Sequence, residues 1–293
     1  PLIQALPSLL QGLAMPTLTE YLASHPFELV LSSGFFGFFA HTGVVMALEE
    51  VGLRPTQLGG SSAGALVAGL WGAGLPATVL RDELLKLSRA SFWDVDPLAG
   101  LPFYLRTGRL RQLAELMGID RMADEASGPG LLRGNAFDYI LRDLLDRVDV
   151  REFSECPMKI RLAAFNLRSL STEVLEEGDL ALAIRASCCF PGMFQPVEIG
   201  EHRYLDGGIA DRPGISTATP GARLLFHHLP AHSPWRKVVR LQNDVPDWPE
   251  LHLLHEPSLP KLSPFRLEPG RDALRLAYEM THRRLKEPVR VSR

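Results

Sequence analysis

Apolar and polar positions follow two different periods along the chain, and each period predicts a different element. Short apolar runs bounded by turn residues predict buried strands, and apolar residues at i, i+3, i+4 and i+7 predict helices. The predicted strands are 28–32, a brief one before Ser61, 153–164, 172–176, 196–199 and 223–229. The predicted helices are 39–51, 63–72, 135–147, 180–186 and 269–286. Strands that alternate with helices indicate an α/β fold, a three-layer α/β/α sandwich with a mainly parallel central sheet.

Two stretches lack formally charged side chains, one between Glu28 and Glu49 and the other from Pro55 to Leu80. Each is long enough to cross a bilayer. Ser, Gly, Pro and Gln interrupt both, however, whereas a membrane-spanning helix consists mostly of large apolar residues. The chain is 22% charged with a formal net charge of −3, and this mild acidity weighs against a nucleic-acid partner. We therefore expect a soluble, cytoplasmic protein that does not bind nucleic acid.

No internal linker or repeat divides the 293 residues. We expect a single domain over 1–293, with a core at about 27–230 and a C-terminal extension at about 231–293. The three cysteines, Cys156, Cys188 and Cys189, form a sparse and odd set without metal-site spacing. Such usage fits a reducing compartment. Neither a metal nor a cofactor is predicted, and the oligomeric state is left open.

The sequence Gly60-Ser61-Ser62-Ala63-Gly64 lies where a predicted strand ends and a predicted helix begins. A serine on such a sharp turn needs small residues two positions away on either side, because larger side chains would collide across the turn. The helix N-terminus favours the negative charge that develops during nucleophilic attack. A Gly/Ser-rich turn that only caps a helix has the same letters. The placement between strand and helix favours a nucleophile elbow, with Ser62 as nucleophile and Gly60 and Gly64 as its flanks.

A serine nucleophile needs a base, and the residue order allows two arrangements. In the first, Asp206 orients a histidine that follows it, as in the triad of α/β-hydrolases. In the second, Asp206 is itself the base and no histidine takes part. The histidines available to the first arrangement are His227, His228, His252 and His255.

The segment AIRASCCFPGMFQPVEIGEHRYLDGGIADRPG, residues 183–214, resembles the patatin-like phospholipase family. In that family A-[IV]-R-A-S-x-x-x-P-G-x-F-x-P precedes a hairpin that ends in D-G-[GA]. Upstream, LVLSSGFFGFFAHTGVVMALEEVGL resembles the family's first strand, glycine-rich loop and helix, and LGGSSAGALVAGL resembles its elbow. The match covers 28–79 and 161–213 well and the last eighty residues hardly at all. The resemblance implies a patatin-like fold and a serine acyl hydrolase that acts on lipids without cofactor or metal.

Carried over residue by residue, the resemblance implies that Ser62 is the nucleophile and Asp206 its base. An aspartate is a poor base at its ordinary pKa near 4. It can serve when it is desolvated and hydrogen-bonded to the serine hydroxyl, so that the proton moves only as the acyl carbon is attacked. Gly207 and Gly208 give the backbone room to bring the carboxylate close.

The family's oxyanion loop, G-G-G-x-[RK]-G, has an altered counterpart here, Ser33-Gly34-Phe35-Phe36-Gly37-Phe38. Backbone amides need no particular side chain, so an oxyanion hole built from Gly34, Phe35 and Phe36 is still expected. The cation of the family's loop is lost. The phenylalanines provide an apolar wall suited to an acyl chain or to peripheral contact with a membrane surface, unless two of them pack in the core.

Two alternatives to a lipid acyl hydrolase with a Ser-Asp dyad stay open. One is an α/β-hydrolase-type esterase with a Ser-Asp-His triad. The other is a lipid-binding protein without enzymatic activity on a decayed hydrolase scaffold. The altered oxyanion loop favours the second alternative, whereas the presence of both Ser62 and Asp206 weighs against it.

Overall fold

The computed structural model of the chain describes residues 15–34, 36–87, 132–230, 245–260 and 267–289. Its α-helices there are α1 (Leu18–Ser24), α2 (Phe38–Glu50), α3 (Ala63–Gly72), α4 (Ala77–Lys86), α5 (Asn135–Asp146), α6 (Leu180–Ser187) and α7 (Gly270–Leu285). Its strands are β1 (Glu28–Leu31), β2 (Gln57–Ser61), β3 (Lys159–Asn166), β4 (Ser171–Leu175), β5 (Val197–Ile199), β6 (His202–Asp206), β7 (Leu224–His228) and β8 (Leu251–His255). Short 3-10 helices cover Phe153–Glu155, Gly207–Ile209 and Ile215–Thr217.

All of these strands belong to one sheet, in the order β5-β6-β3-β2-β1-β7-β8, with β4 paired to β3 off this path. Within this order, the five neighbouring strands β3, β2, β1, β7 and β8 are all parallel to one another. The pairs β3–β4, β3–β6 and β5–β6 are antiparallel. The α/β fold with a mainly parallel central sheet, which was predicted from the alternation of strands and helices, is confirmed.

Side chains of the central strands alternate between two apolar layers, as strand geometry requires. Leu29 and Leu31 of β1 face the main core, which also contains the buried faces of α2, α3 and α7. Val30 points the other way and packs with Leu224 and Phe226 of β7 in a smaller cluster. The central strands are therefore buried on both faces, which explains why residues 29–31 of β1 and 224–226 of β7 are apolar without alternation.

The boundaries of most predicted elements agree with the structure to within two residues. The strand predicted at 153–164 begins later, because Phe153–Glu155 forms a 3-10 turn and β3 starts at Lys159. The strand β8 was not predicted, and it lies within the C-terminal extension expected at about 231–293. Helices α1 and α4 were not predicted. Among the described residues, no helix combines the length and apolarity that crossing a membrane would require.

Candidate active site

Ser62 occupies the turn between β2 and α3 with φ 54° and ψ −118°, a positive φ that is unfavourable for a residue with a side chain. Such conformations cost on the order of 1–3 kcal/mol and persist only where the surroundings impose them. Gly60 and Gly64 make this turn sterically feasible. A Cβ on Gly60 would lie 2.5 Å from the Gly64 carbonyl oxygen, and a Cβ on Gly64 would collide with the Leu31 carbonyl. The turn at Ser62 thus has a steric reason for a glycine at each flanking position.

The pairing of β3 brings Asp206 beside Ser62. Residues 162–166 of β3 pair with β4, so β2 and β6 must share the opposite edge of β3. Along that edge Ala163 faces Ser61, the last residue of β2, and Ala164 faces Asp206, the last residue of β6. The two strands approach from opposite directions and end one residue apart. Ser62 and the Asp206 carboxylate therefore meet although 144 positions separate them in the chain.

The Ser62 hydroxyl donates a hydrogen bond to Oδ2 of Asp206 over 2.6 Å. The other carboxylate oxygen, Oδ1, accepts the Gly208 amide at 2.8 Å. Asp206 is only 3% exposed. This burial raises the pKa of Asp206 from 3.8 to about 7, although the hydrogen bonds from Ser62 and Gly208 lower it. A carboxyl with a pKa near neutrality is suited to exchange protons with a serine hydroxyl.

Gly207 and Gly208 allow this close approach. A Cβ on Gly207 would collide with the Ala163 carbonyl oxygen, and one on Gly208 would collide with the Ser33 hydroxyl. The segment that follows the carboxylate therefore lies directly against β3 and against the loop after β1. Neither position has space for a side chain.

The end of α6 supplies contacts that sequence reasoning did not single out. The Ser62 amide donates to the Ser187 hydroxyl at 3.0 Å, and that hydroxyl donates to the Ala163 carbonyl at 2.6 Å. The Cys188 thiol donates to the Ser62 carbonyl at 3.1 Å. Both peptide groups that flank the Ser62 side chain are thus held by α6.

The loop between β1 and α2 lies beside the elbow because Leu31 of β1 pairs with Gly60 of β2. The Ser33 amide donates to the Arg212 carbonyl at 2.7 Å, and the Gly37 amide donates to the Gly34 carbonyl at 2.8 Å. Phe36 has φ 56°. Phe35, the remaining residue predicted to supply an oxyanion amide, lies outside the described residues.

The described phenylalanines of this loop differ in burial. Phe38 is 6% exposed and Phe39 2%, and both belong to the main core. Phe36 is half-buried and packs against that core, with its ring centroid 5.5 Å from that of Phe38. Leu229 occupies the space beside the two glycines, since a Cβ on Gly34 or Gly37 would collide with its Cδ1. Of the phenylalanines expected to form an apolar wall, Phe38 and Phe39 thus pack in the core, whereas Phe36 is partly exposed.

The histidines form contacts of their own. The His41 Nε2–H donates to the Ser32 carbonyl at 2.8 Å, so a neutral His41 must accept at Nδ1, where the His227 ring lies at 2.7 Å. Burial lowers the pKa of His41 to about 3 and that of His227 well below its ordinary value. His255 is bonded to the His228 carbonyl at 3.3 Å. No group of three or more His, Cys, Asp or Glu in the described ranges is arranged to hold a metal ion.

A family model described as patatin-like phospholipase matches residues 29–219 of the chain. An uncharacterised NTE family protein of Mycobacterium tuberculosis is 27% identical over 183 residues, which are 62% of this chain and 42% of that protein. A protein named Lysophospholipase NTE1 in Debaryomyces hansenii is 22% identical over 71% of this chain and 12% of its own length. The chain thus spans less than half the length of these relatives.

Among solved structures, VipD from Legionella pneumophila is similar with a TM-score of 0.49 and 15% identity. That match covers 89% of this chain and 66% of VipD. The family predicted from the sequence motifs is confirmed by the family model, whose matched residues run from β1 to the loop that precedes β7.

Proposed function

Because the chain belongs to the patatin-like phospholipase family, a family of lipid ester hydrolases, we propose that it hydrolyses acyl esters of lipids with Ser62 as nucleophile and Asp206 as base. The observation that carries this proposal is the 2.6 Å hydrogen bond from the Ser62 hydroxyl to a buried carboxylate whose pKa is raised to about 7. A relative named as a lysophospholipase supports the choice of a lipid substrate.

In the first half of the reaction, Ser62 Oγ attacks the acyl carbonyl carbon while Asp206 accepts the hydroxyl proton. The tetrahedral intermediate then collapses, the bond to the alcohol oxygen breaks, and Asp206 returns the proton to that oxygen. The products of this half are an acyl ester on Ser62 and the free alcohol.

In the second half, water replaces the alcohol. Asp206 accepts a proton from the water as its oxygen attacks the acyl carbon, and the bond to Ser62 Oγ then breaks. The proton returns to Ser62, and the fatty acid leaves. Amides of the loop at Gly34 and Phe36 are the proposed donors to the oxyanion in both halves, because the β1–β2 register brings this loop beside the elbow.

A fluorophosphonate probe and p-nitrophenyl esters of short and long chain test the proposal. Ser62→Ala should abolish both labelling and turnover. Ser61→Ala is the matched control, because Ser61 is the adjacent serine and its buried hydroxyl has no hydrogen-bond partner in the described part of the chain. We expect this control to be labelled and to turn over both esters. A wild-type protein inert to the probe and to both esters would contradict the proposal and favour a lipid-binding scaffold.

The choice of base is tested separately. Asp206→Asn should abolish turnover, whereas an alanine at each candidate histidine should leave most of it in every variant that folds. The buried contact between His227 and His41, rather than with the elbow, supports this expectation. If one of these variants stays folded and is as inactive as Ser62→Ala, the esterase with a histidine base replaces the dyad. The variants are His227→Ala, His228→Ala, His252→Ala and His255→Ala.

A further inference from the structure

Three consecutive residues, the last of α6 and the two that follow it, contact both members of the proposed dyad. Ser187 and Cys188 bond the amide and the carbonyl of Ser62. The next residue, Cys189, accepts the Asp206 amide on its carbonyl at 2.9 Å. We call Ser187, Cys188 and Cys189 the positioning segment.

Ser187 contributes the main restraint of this segment, because it is fully buried and its hydroxyl makes two hydrogen bonds. The hydroxyl proton is directed at the Ala163 carbonyl, so a lone pair is left for the Ser62 amide. Ala163 is the residue of β3 that faces Ser61. The Ser187 hydroxyl therefore fixes the Ser62 amide relative to the strand that also carries the pairing to Asp206.

The backbone of Ser62 needs such restraint. Its positive φ is unfavourable, and a peptide group released from its partners would relax toward an ordinary conformation. Relaxation would rotate the Ser62 side chain away from the carboxylate, and catalysis is sensitive to displacements of about 1 Å. The Cys188 thiol adds a weaker restraint, since the Leu66 amide also bonds the Ser62 carbonyl at 3.1 Å.

We infer that the positioning segment sets the distance between Ser62 and Asp206, with Ser187 as a positioning residue for the reaction. The inference rests on the proposed function. Ser187 does not touch the reacting atoms. Its contribution should therefore appear in the rate constant of each folded active site and not in the affinity for substrate.

Ser187→Ala tests the main restraint by removing the acceptor for the Ser62 amide. We expect kcat for a short ester and the rate constant of fluorophosphonate labelling to fall about ten- to hundred-fold, as the loss of a buried hydrogen bond would predict. The KM and the final labelled fraction should stay at the wild-type values. Thr281→Val is the matched control, since Thr281 is equally buried and its hydroxyl bonds the Ala277 carbonyl of α7. The control should label at the wild-type rate.

The thiol provides an independent pair of variants. Cys188→Ala removes the donor to the Ser62 carbonyl and should slow labelling about three-fold, whereas Cys188→Ser keeps a donor and should label at the wild-type rate. Equal rates for the two variants would overturn the role of position 188, and would overturn the whole inference if Ser187→Ala failed to fold.

Two results for Ser187→Ala would overturn the inference while the proposed function stands. One is labelling as fast as that of the wild type. The other is a lower labelled fraction with an unchanged rate constant, because this would show a role in folding only. If the wild type itself neither labelled nor turned over esters, the proposed function would fail and this inference with it.

Discussion

Replacing Asp206 with asparagine should change how the free energy of unfolding depends on pH. Burial raises the pKa of Asp206 from 3.8 to about 7, so between these values the folded chain keeps a proton that the unfolded chain releases. The contribution to stability is therefore fully present below pH 3.8 and is lost as the pH rises through about 7. An asparagine has no such proton, so the variant lacks this dependence.

The size of the effect follows from the two pKa values. The full loss between acid solution and pH 8 is roughly 4 kcal/mol. Between pH 5 and pH 8, where the folded protein is more easily studied, the wild type should lose roughly 2.5 kcal/mol relative to Asp206→Asn, most of it below pH 7. Other titrating groups act equally in both proteins and cancel in the difference.

Urea unfolding of both proteins at several pH values measures this difference. Asp82→Asn serves as the control, because the Arg81 side chain bonds the exposed Asp82 and lowers its pKa. The wild type should not lose stability relative to this control as the pH rises. A difference between wild type and Asp206→Asn that stays flat from pH 5 to pH 8 would refute the reasoning, since the carboxyl would then titrate alike in the folded and unfolded chains.

Two further predictions concern rates and sterics. The kcat/KM for a short ester should rise about ten-fold between pH 6 and pH 8, because the ionised fraction of a carboxyl with a pKa of about 7 rises from about a tenth to about nine tenths. If the pH at the midpoint of this rise in kcat/KM falls strongly on warming, the base is instead an imidazole. Gly60→Ala should lower both urea stability and labelling of Ser62, because its Cβ would lie 2.5 Å from the Gly64 carbonyl oxygen. Gly178→Ala, with open space around its Cβ and φ 78°, should cost only about 1 kcal/mol of stability and label normally.

Local patterns were sufficient to predict much of the fold. The predicted helix at 63–72 has the bounds of α3, because its small and apolar residues and the closing glycines are local signals. The predicted strand at 28–32 matches β1 for the same reason. The β8 strand was not predicted because the proline- and histidine-rich stretch around it obscures a five-residue strand, whose order comes from pairing with β7.

The candidate site was predictable only where a short motif carries it. Ser62 and Asp206 stood out through G-x-S-x-G and the family-like D-G-G. The contact of Ser187 with Ser62 was not predicted, since 125 positions separate the two residues and the contact depends on how α6 packs on β3. The His41–His227 pair was not predicted either, because its partners lie 186 positions apart. Such contacts are set by tertiary packing, and no local sequence pattern predicts them.

The proposed base lies in a small hairpin, whereas the proposed nucleophile directly follows a central strand. The β6 strand pairs with β3 at three positions, and β5 beyond it pairs with β6 at three. Short pairings near the end of a sheet open at lower free energy than central strands do. Local opening of this hairpin would withdraw Asp206 while Ser62 stayed in place at the end of β2. Activity should therefore be lost at a lower urea concentration than the one that unfolds the parallel core. Between these two concentrations, the parallel core should remain folded while the protein is inactive.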